Sequence, residues 1–231
     1  MKFKLYSIKL CPYIWDKDGK LNEKVSLALM AIVDKIEDSL EQDNIATFIK
    51  DSYIVGSIAN YNWTEYSDID VHILLDISKM DIGKDEAVAM FDAIKSNWNT
   101  KHDVRIKTHK VEIYFELGRL TLHSDAVYSI SKDLWIKAPE YKEDIKFDKD
   151  EIRSKYNELR QTIETALKLK TSKDIESALE IVYNARESGL ESKLEELSPA
   201  NIAFRALRAK GYVDKLKKEL ADLEDDVLSV P

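Results

Sequence analysis

The chain has 231 residues, of which 44% are hydrophobic, and a formal net charge of −8. This size and composition suffice for one large domain or two modest ones and exclude a disordered chain. Acidic residues outnumber basic residues by 43 to 35, which argues against general binding to nucleic acid duplexes, because such affinity comes largely from Lys and Arg.

The first half of the chain alternates between predicted helices and predicted strands. Apolar residues recur at helical spacing from Val25 to Leu40, so we expect an amphipathic helix over residues 22–42. Further apolar runs predict strands at 52–56 and 68–76, a helix at 84–99, an extended pair at 103–108 and 110–117, and a strand at 126–130.

The second half of the chain has a purely helical pattern from about residue 147 onward. Within it, Ser198 and Pro199 are typical of a helix start, with serine as the cap and proline at the first position. We therefore predict an α+β fold. A mixed-sheet core at residues 1–146 is followed by a helical domain at 147–231 that packs on the cleft of the core.

A Gly-Ser pair and two acidic residues stand close together between residues 55 and 71. The period of two in a strand places Asp68 and Asp70 on one face and their apolar neighbours on the other. Two carboxylates about 7 Å apart along a strand can share a hard cation such as Mg²⁺, which prefers oxygen ligands. Gly56 lets a phosphate approach the main chain, and Ser57 adds an N–H group and a hydroxyl. The motif indicates metal-assisted transfer from a nucleoside triphosphate.

The order of these residues, Gly-Ser, a short loop and then Ser-Asp-Ile-Asp, resembles the DNA polymerase beta-like nucleotidyltransferase superfamily. Members place a third carboxylate on a later, neighbouring strand between apolar residues. Glu112 fits this description, and Glu116 remains the alternative because it shares the same predicted face. The resemblance implies that Asp68, Asp70 and Glu112 are the catalytic residues and hold two Mg²⁺ or Mn²⁺ ions.

The resemblance also implies the reaction and the contacts to the nucleotide. A nucleoside monophosphate would pass from an NTP to a hydroxyl acceptor by a two-metal mechanism, with release of pyrophosphate. Gly56, Ser57 and Ser67 would contact the NTP, and Lys132 and Arg205 could supply cations to its triphosphate. The acceptor is expected to be a small molecule, a protein or an RNA end. The alternative is a catalytically silent nucleotide-binding or protein-interaction module that keeps the fold.

The sequence also predicts a compartment. Cys11 is the single cysteine, which excludes an intrachain disulfide and fits a reducing environment. The longest apolar stretch, around residues 27–33, is far shorter than the roughly 20 residues that a membrane span needs. We therefore expect a cytoplasmic protein whose partners include neither a membrane nor generic duplex nucleic acid.

Overall fold

The computed structural model describes the following residues: 6–42, 45, 49–78, 80, 82–120, 124–143 and 147–229. The chain divides into two compact units, Met1–Lys142 and Glu143–Pro231. The first unit combines a mixed sheet with helices, and the second consists of helices. The predicted α+β class with C-terminal helices is therefore confirmed. The assignment of the units as a catalytic domain and a domain that packs on its cleft stays a prediction.

The sheet has six strands within the described residues, and its order is β3-β4-β2-β1-β5-β6. In chain order the strands are β1 Ile49–Val55, β2 Ile69–Leu75, β3 Arg105–Ile106, β4 His109–Leu117, β5 Val127–Ser129 and β6 Leu134–Lys137. Strand β2 pairs antiparallel with β1 and parallel with β4, which makes the sheet mixed. The central strands β1, β2 and β4 are therefore neighbours, and they carry the residues that the sequence singles out.

Six α-helices are present among the described residues. They are α1 Glu23–Gln42, α2 Lys84–Lys101, α3 Lys149–Leu169, α4 Ser172–Glu191, α5 Pro199–Ala209 and α6 Tyr212–Leu228. Helices α1 and α2 agree closely with their predicted ranges. In the part of the chain that the structure describes, none of the helices has the length and apolar character that crossing a bilayer requires.

One face of the sheet forms the main core of the first unit. Helix α1 buries a stripe at helical spacing, which includes Leu29 and Ile36, in the same hydrophobic cluster as Ile54, Val71 and Ile113 of the central strands. Burial of each side chain of this size contributes about 1.5–3 kcal/mol to the stability of the folded state. Burial of this face fixes the register of the strands, because a slip of one residue would turn every apolar side chain away from the core.

The opposite face of the sheet has a smaller apolar cluster, formed by Tyr53, Leu74 and Val127. Asp70 and His72 lie on the same face of β2 as Leu74, and both are half-buried. The alternate residues of β2 point to the other face and are buried in the core. The sheet therefore buries one face and carries polar side chains on the other, as the period of two predicts.

The helical unit has a well-defined helix start at residues 198–199. The Ser198 side chain accepts a hydrogen bond from the backbone N–H of Asn201, and Pro199 occupies the first turn of α5, as predicted. A Cβ atom on Gly189 of α4 would lie 2.5 Å from Oγ of Ser198. Helix α4 therefore approaches the start of α5 closely, and only glycine fits at this point of α4.

Candidate active site

The Gly-Ser turn lies directly against the carboxylate of Asp70. Gly56 follows β1 with φ 76 and ψ −161, a conformation that residues with a side chain rarely adopt. A Cβ atom at this position would lie 2.6 Å from Oδ2 of Asp70. Both the backbone conformation and the available space therefore require glycine beside this aspartate.

The sheet register places Asp70 between the end of β1 and Glu112. Asp70 pairs with Val55 on one side and with Glu112 on the other, so the two acidic residues are level on adjacent strands. Glu116 pairs instead with Leu74, four residues further, which is about 13 Å along the strand. Asp68 comes just before β2 and, like Asp70 and Glu112, is half-buried. The register thus brings Glu112, and not Glu116, level with Asp70.

Both carboxylate oxygens of Glu112 have partners on its own strand. The Tyr114 hydroxyl donates a hydrogen bond of 3.0 Å to Oε2. The Lys110 ammonium lies 3.4 Å from Oε1. The sequence motif gave no sign of these contacts, although Lys110, Glu112 and Tyr114 share one strand face by the period of two.

Glu116 belongs to a second polar group on the same face. Nδ1 of His72 lies 2.8 Å from Oε1 of Glu116, and the His72 ring stacks on Tyr114 with centroids 4.9 Å apart and an interplanar angle of 18°. Burial lowers the pKa of His72 below its usual value, although the hydrogen bond and negative charge of Glu116 act in the opposite direction. Glu116 therefore helps to hold the ring that supports Tyr114.

Serine hydroxyls close the loop between the Gly-Ser turn and the paired aspartates. Ser57 donates a hydrogen bond of 2.8 Å to the Ser67 hydroxyl, which in turn accepts one from the backbone N–H of Thr64. The backbone N–H of Gly56 donates to Ser124 at 3.2 Å. The structure thus brings the predicted residues Ser57 and Ser67 together beside Gly56.

A buried histidine, which the sequence analysis did not identify, fixes the residue that precedes Asp68. His109 is 1% exposed, and its Nδ1 lies 2.6 Å from the backbone carbonyl oxygen of Ser67, to which it donates a hydrogen bond. Its Nε2 lies 3.5 Å from Sγ of Cys11, and burial raises the pKa of that thiol. His109 lies two residues before Val111 and therefore on the same face of β4, which faces the core. This spacing of two was the signal that the sequence offered.

The two predicted cations have different surroundings. Nζ of Lys132 lies 2.8 Å from Oδ2 of Asp51, whose side chain is 2% exposed. Asp51 precedes by four residues the position on β1 that pairs with Asp70, so this ion pair stabilises the sheet at some distance from Asp70. Arg205 lies on α5 of the helical unit and is half-buried. Contact of either side chain with a triphosphate stays a prediction.

The acidic residues fit a divalent metal by their chemistry but do not form a closed metal cage. Within the residues described, no group of three or more His, Cys, Asp and Glu side chains is arranged to hold a metal ion. Carboxylate oxygens are nevertheless the ligands that Mg²⁺ and Mn²⁺ prefer, and Asp70 and Glu112 are level on neighbouring strands. A metal at Glu112 would have to replace the Lys110 contact.

A Gly-Ser turn against paired acidic residues at the centre of a mixed sheet is the arrangement expected of α+β proteins that act on nucleoside triphosphates. The chain belongs to the nucleotidyltransferase domain family, whose sequence model matches residues 33–228. The match confirms the resemblance to the polymerase beta-like superfamily and supports nucleoside monophosphate transfer as the general activity. Neither a curated protein nor a solved structure matches the chain significantly.

Proposed function

We propose that the protein is an Mg²⁺-dependent nucleotidyltransferase that transfers a nucleoside monophosphate from an NTP to a hydroxyl acceptor. The observation that carries this proposal is the contact between Gly56 and Asp70, with Glu112 level on the next strand. It places a backbone turn suited to phosphates against a pair of carboxylates suited to divalent metal ions. Membership of the nucleotidyltransferase family supports the same reading.

The three acidic residues and the Gly-Ser turn each have a defined task in this proposal. The divalent ions would be held by Asp68, Asp70 and Glu112. They would neutralise the charge of the phosphates and lower the pKa of the acceptor hydroxyl. Gly56 and Ser57 would position the triphosphate by main-chain and hydroxyl contacts. The acceptor oxygen forms a bond to the α-phosphorus, the bond from that phosphorus to pyrophosphate breaks, and the hydroxyl proton passes to water. The carboxylates therefore act by position and charge.

The charge of the chain favours a compact acceptor. With 43 acidic and 35 basic residues, the protein lacks the excess of Lys and Arg that gives affinity for a long nucleic acid. We propose a small molecule, a protein side chain or an RNA end as the acceptor. The protein would act in the cytoplasm, and either Mg²⁺ or Mn²⁺ would support the reaction.

A second candidate function is a catalytically silent module that binds a nucleotide or a protein partner. The contact of Lys110 with Glu112 favours it, because an ammonium at 3.4 Å occupies one oxygen of the third proposed metal ligand. The two candidates differ in one measurable respect. The enzyme transfers label from an NTP to an acceptor, whereas the silent module binds the NTP and leaves it intact.

The experiment that tests the proposal follows the fate of NTPs labelled at the α-phosphate. Each labelled NTP is incubated with the protein, Mg²⁺ or Mn²⁺, and a fractionated cell extract that supplies acceptors. The proposed enzyme links the label to an acceptor and releases pyrophosphate. If the protein binds the nucleotide but transfers no label in any fraction, the enzymatic proposal is contradicted and the silent module is supported.

A further inference from the structure

The contact between Lys110 and Glu112 joins a cation to the proposed metal site. The side chains are 27% and 17% exposed, so both charges are partly sheltered from water. A sheltered ion pair interacts more strongly than the exposed pairs whose contribution is close to zero. The other oxygen of the same carboxylate accepts a hydrogen bond from the Tyr114 hydroxyl. These two contacts hold Glu112 in one orientation.

The register brings Lys110 to the same end of the central strands as the paired aspartates. The parallel pairing of β2 with β4 begins at Ile69 and Val111. Asp68 and Lys110 are the residues immediately before this first pair on the two strands. Three acidic residues and one ammonium are therefore located at one end of two neighbouring strands, where the positive charge reduces repulsion among the carboxylates.

We propose that Lys110 is a resident counter-charge that competes with a divalent metal ion for Oε1 of Glu112. This inference rests on the proposed function, because it concerns the same carboxylates. Lys110 would give up Oε1 of Glu112 to a bound metal ion, and its ammonium would then be available to the phosphates of an NTP. Lys110 thereby weakens the binding of a metal ion alone. It favours binding of the metal ion together with the nucleotide, because the negative phosphates then replace Glu112 as the partner of Lys110.

The direct test measures the binding of Mn²⁺ alone, from the electron paramagnetic resonance signal of the free ion. Lys110→Met should bind Mn²⁺ about three- to tenfold more tightly than wild type, the size of effect expected for a partly sheltered pair. Lys110→Arg keeps the charge and should bind no more tightly than wild type. Lys101→Met, at the exposed end of α2, removes the same charge away from the site and serves as the matched control.

A second measurement follows the stability of the same variants in EDTA. Lys110→Met should have a lower melting temperature than Lys101→Met, because the Lys110 ammonium no longer offsets the charge of Glu112 beside two aspartates. Adding Glu112→Gln to Lys110→Met should recover part of this loss, since the neutral amide no longer needs a counter-charge. This double-mutant comparison isolates the interaction between the two side chains.

The outcomes separate this inference from the proposed function. If Lys110→Met and Lys101→Met bind Mn²⁺ equally, or if Lys110→Met binds more weakly, the competition is overturned while a metal-dependent enzyme still stands. If wild type and every variant bind no Mn²⁺ up to millimolar concentrations, the competition is overturned. The metal-dependent function is overturned as well only if label transfer from an NTP is also absent with both Mg²⁺ and Mn²⁺. Circular dichroism confirms that each variant is folded before its affinity is interpreted, and Lys110→Gln replaces Lys110→Met if the latter does not fold.

Discussion

Substitution of Gly56 by alanine changes the contact on which the proposed site depends. At φ 76 and ψ −161, a residue with a side chain is strained by about 1–3 kcal/mol. The added Cβ atom would also lie 2.6 Å from Oδ2 of Asp70, so the carboxylate must move by about 0.8 Å or more to reach an ordinary contact distance. Displacements approaching 1 Å reduce catalysis about 100-fold. We therefore expect lower stability and about 100-fold lower transfer.

Gly118→Ala is the matched control for this substitution. Gly118 follows β4 with φ 77, and a Cβ atom there would meet no atom within 4 Å. Both variants should lose stability in urea denaturation, but only Gly56→Ala should lose transfer of label from an NTP. If Gly56→Ala keeps near wild-type transfer, the contact between the Gly-Ser turn and Asp70 has no part in the reaction. Equal losses of transfer in both variants would assign the effect to backbone strain.

Three further predictions concern the third ligand, the helical unit and pH. Glu112→Gln should abolish label transfer and leave NTP binding largely intact, whereas Glu116→Gln should retain transfer, because only Glu112 is level with Asp70. Gly189→Ala should lower the free energy of unfolding by about 1–3 kcal/mol in urea titrations, since its Cβ has no room. Burial alone would raise the pKa of Asp51, but hydrogen bonds from Lys132 and neighbouring groups hold it below its usual value. Lys132→Met should therefore reduce stability at neutral pH, and this loss should disappear as the pH falls through the pKa of Asp51 in the folded protein.

Each of these predictions has an outcome that contradicts it. Loss of transfer in Glu116→Gln with retention in Glu112→Gln would move the third ligand four residues along β4. Unchanged or increased stability of Gly189→Ala would show that α4 and α5 can separate without cost. For Lys132→Met, a stability loss that is as large at pH 3 as at pH 7 would show that the charge of Asp51 is not its cause.

The elements of the fold could be predicted from local patterns, but several of their ends could not. Helix α1 begins one residue from its predicted start because its apolar stripe is long and regular. The predicted strand at 103–108 is reduced to Arg105–Ile106, because Lys107 adopts φ 58 in the tight turn that leads into β4. Strand β6 was not predicted, since it has only four residues, of which only Trp135 is half-buried, and they lack a clear apolar period.

The acidic residues of the candidate site could be identified from the sequence, but their partners could not. Asp70 and Glu112 become neighbours through the parallel pairing of β2 and β4, which are separated in the chain by α2 and β3. The contact between Lys132 and Asp51 spans 81 residues and depends on the pairing of β1 with β5. Long-range register of this kind is set by burial across the whole sheet, and a single-sequence pattern does not report it.

Asp70→Asn tests the central claim most directly, because it removes one negative charge from the carboxylate that contacts the Gly-Ser turn. Label transfer from an α-labelled NTP with Mg²⁺ should fall by at least about a thousandfold, while circular dichroism and the urea midpoint remain close to wild type. Asp38→Asn, on the exposed face of α1, changes the same charge away from the site and should transfer label at the wild-type rate. Near-native Mg²⁺-dependent transfer by a folded Asp70→Asn protein would contradict the assignment of the active site.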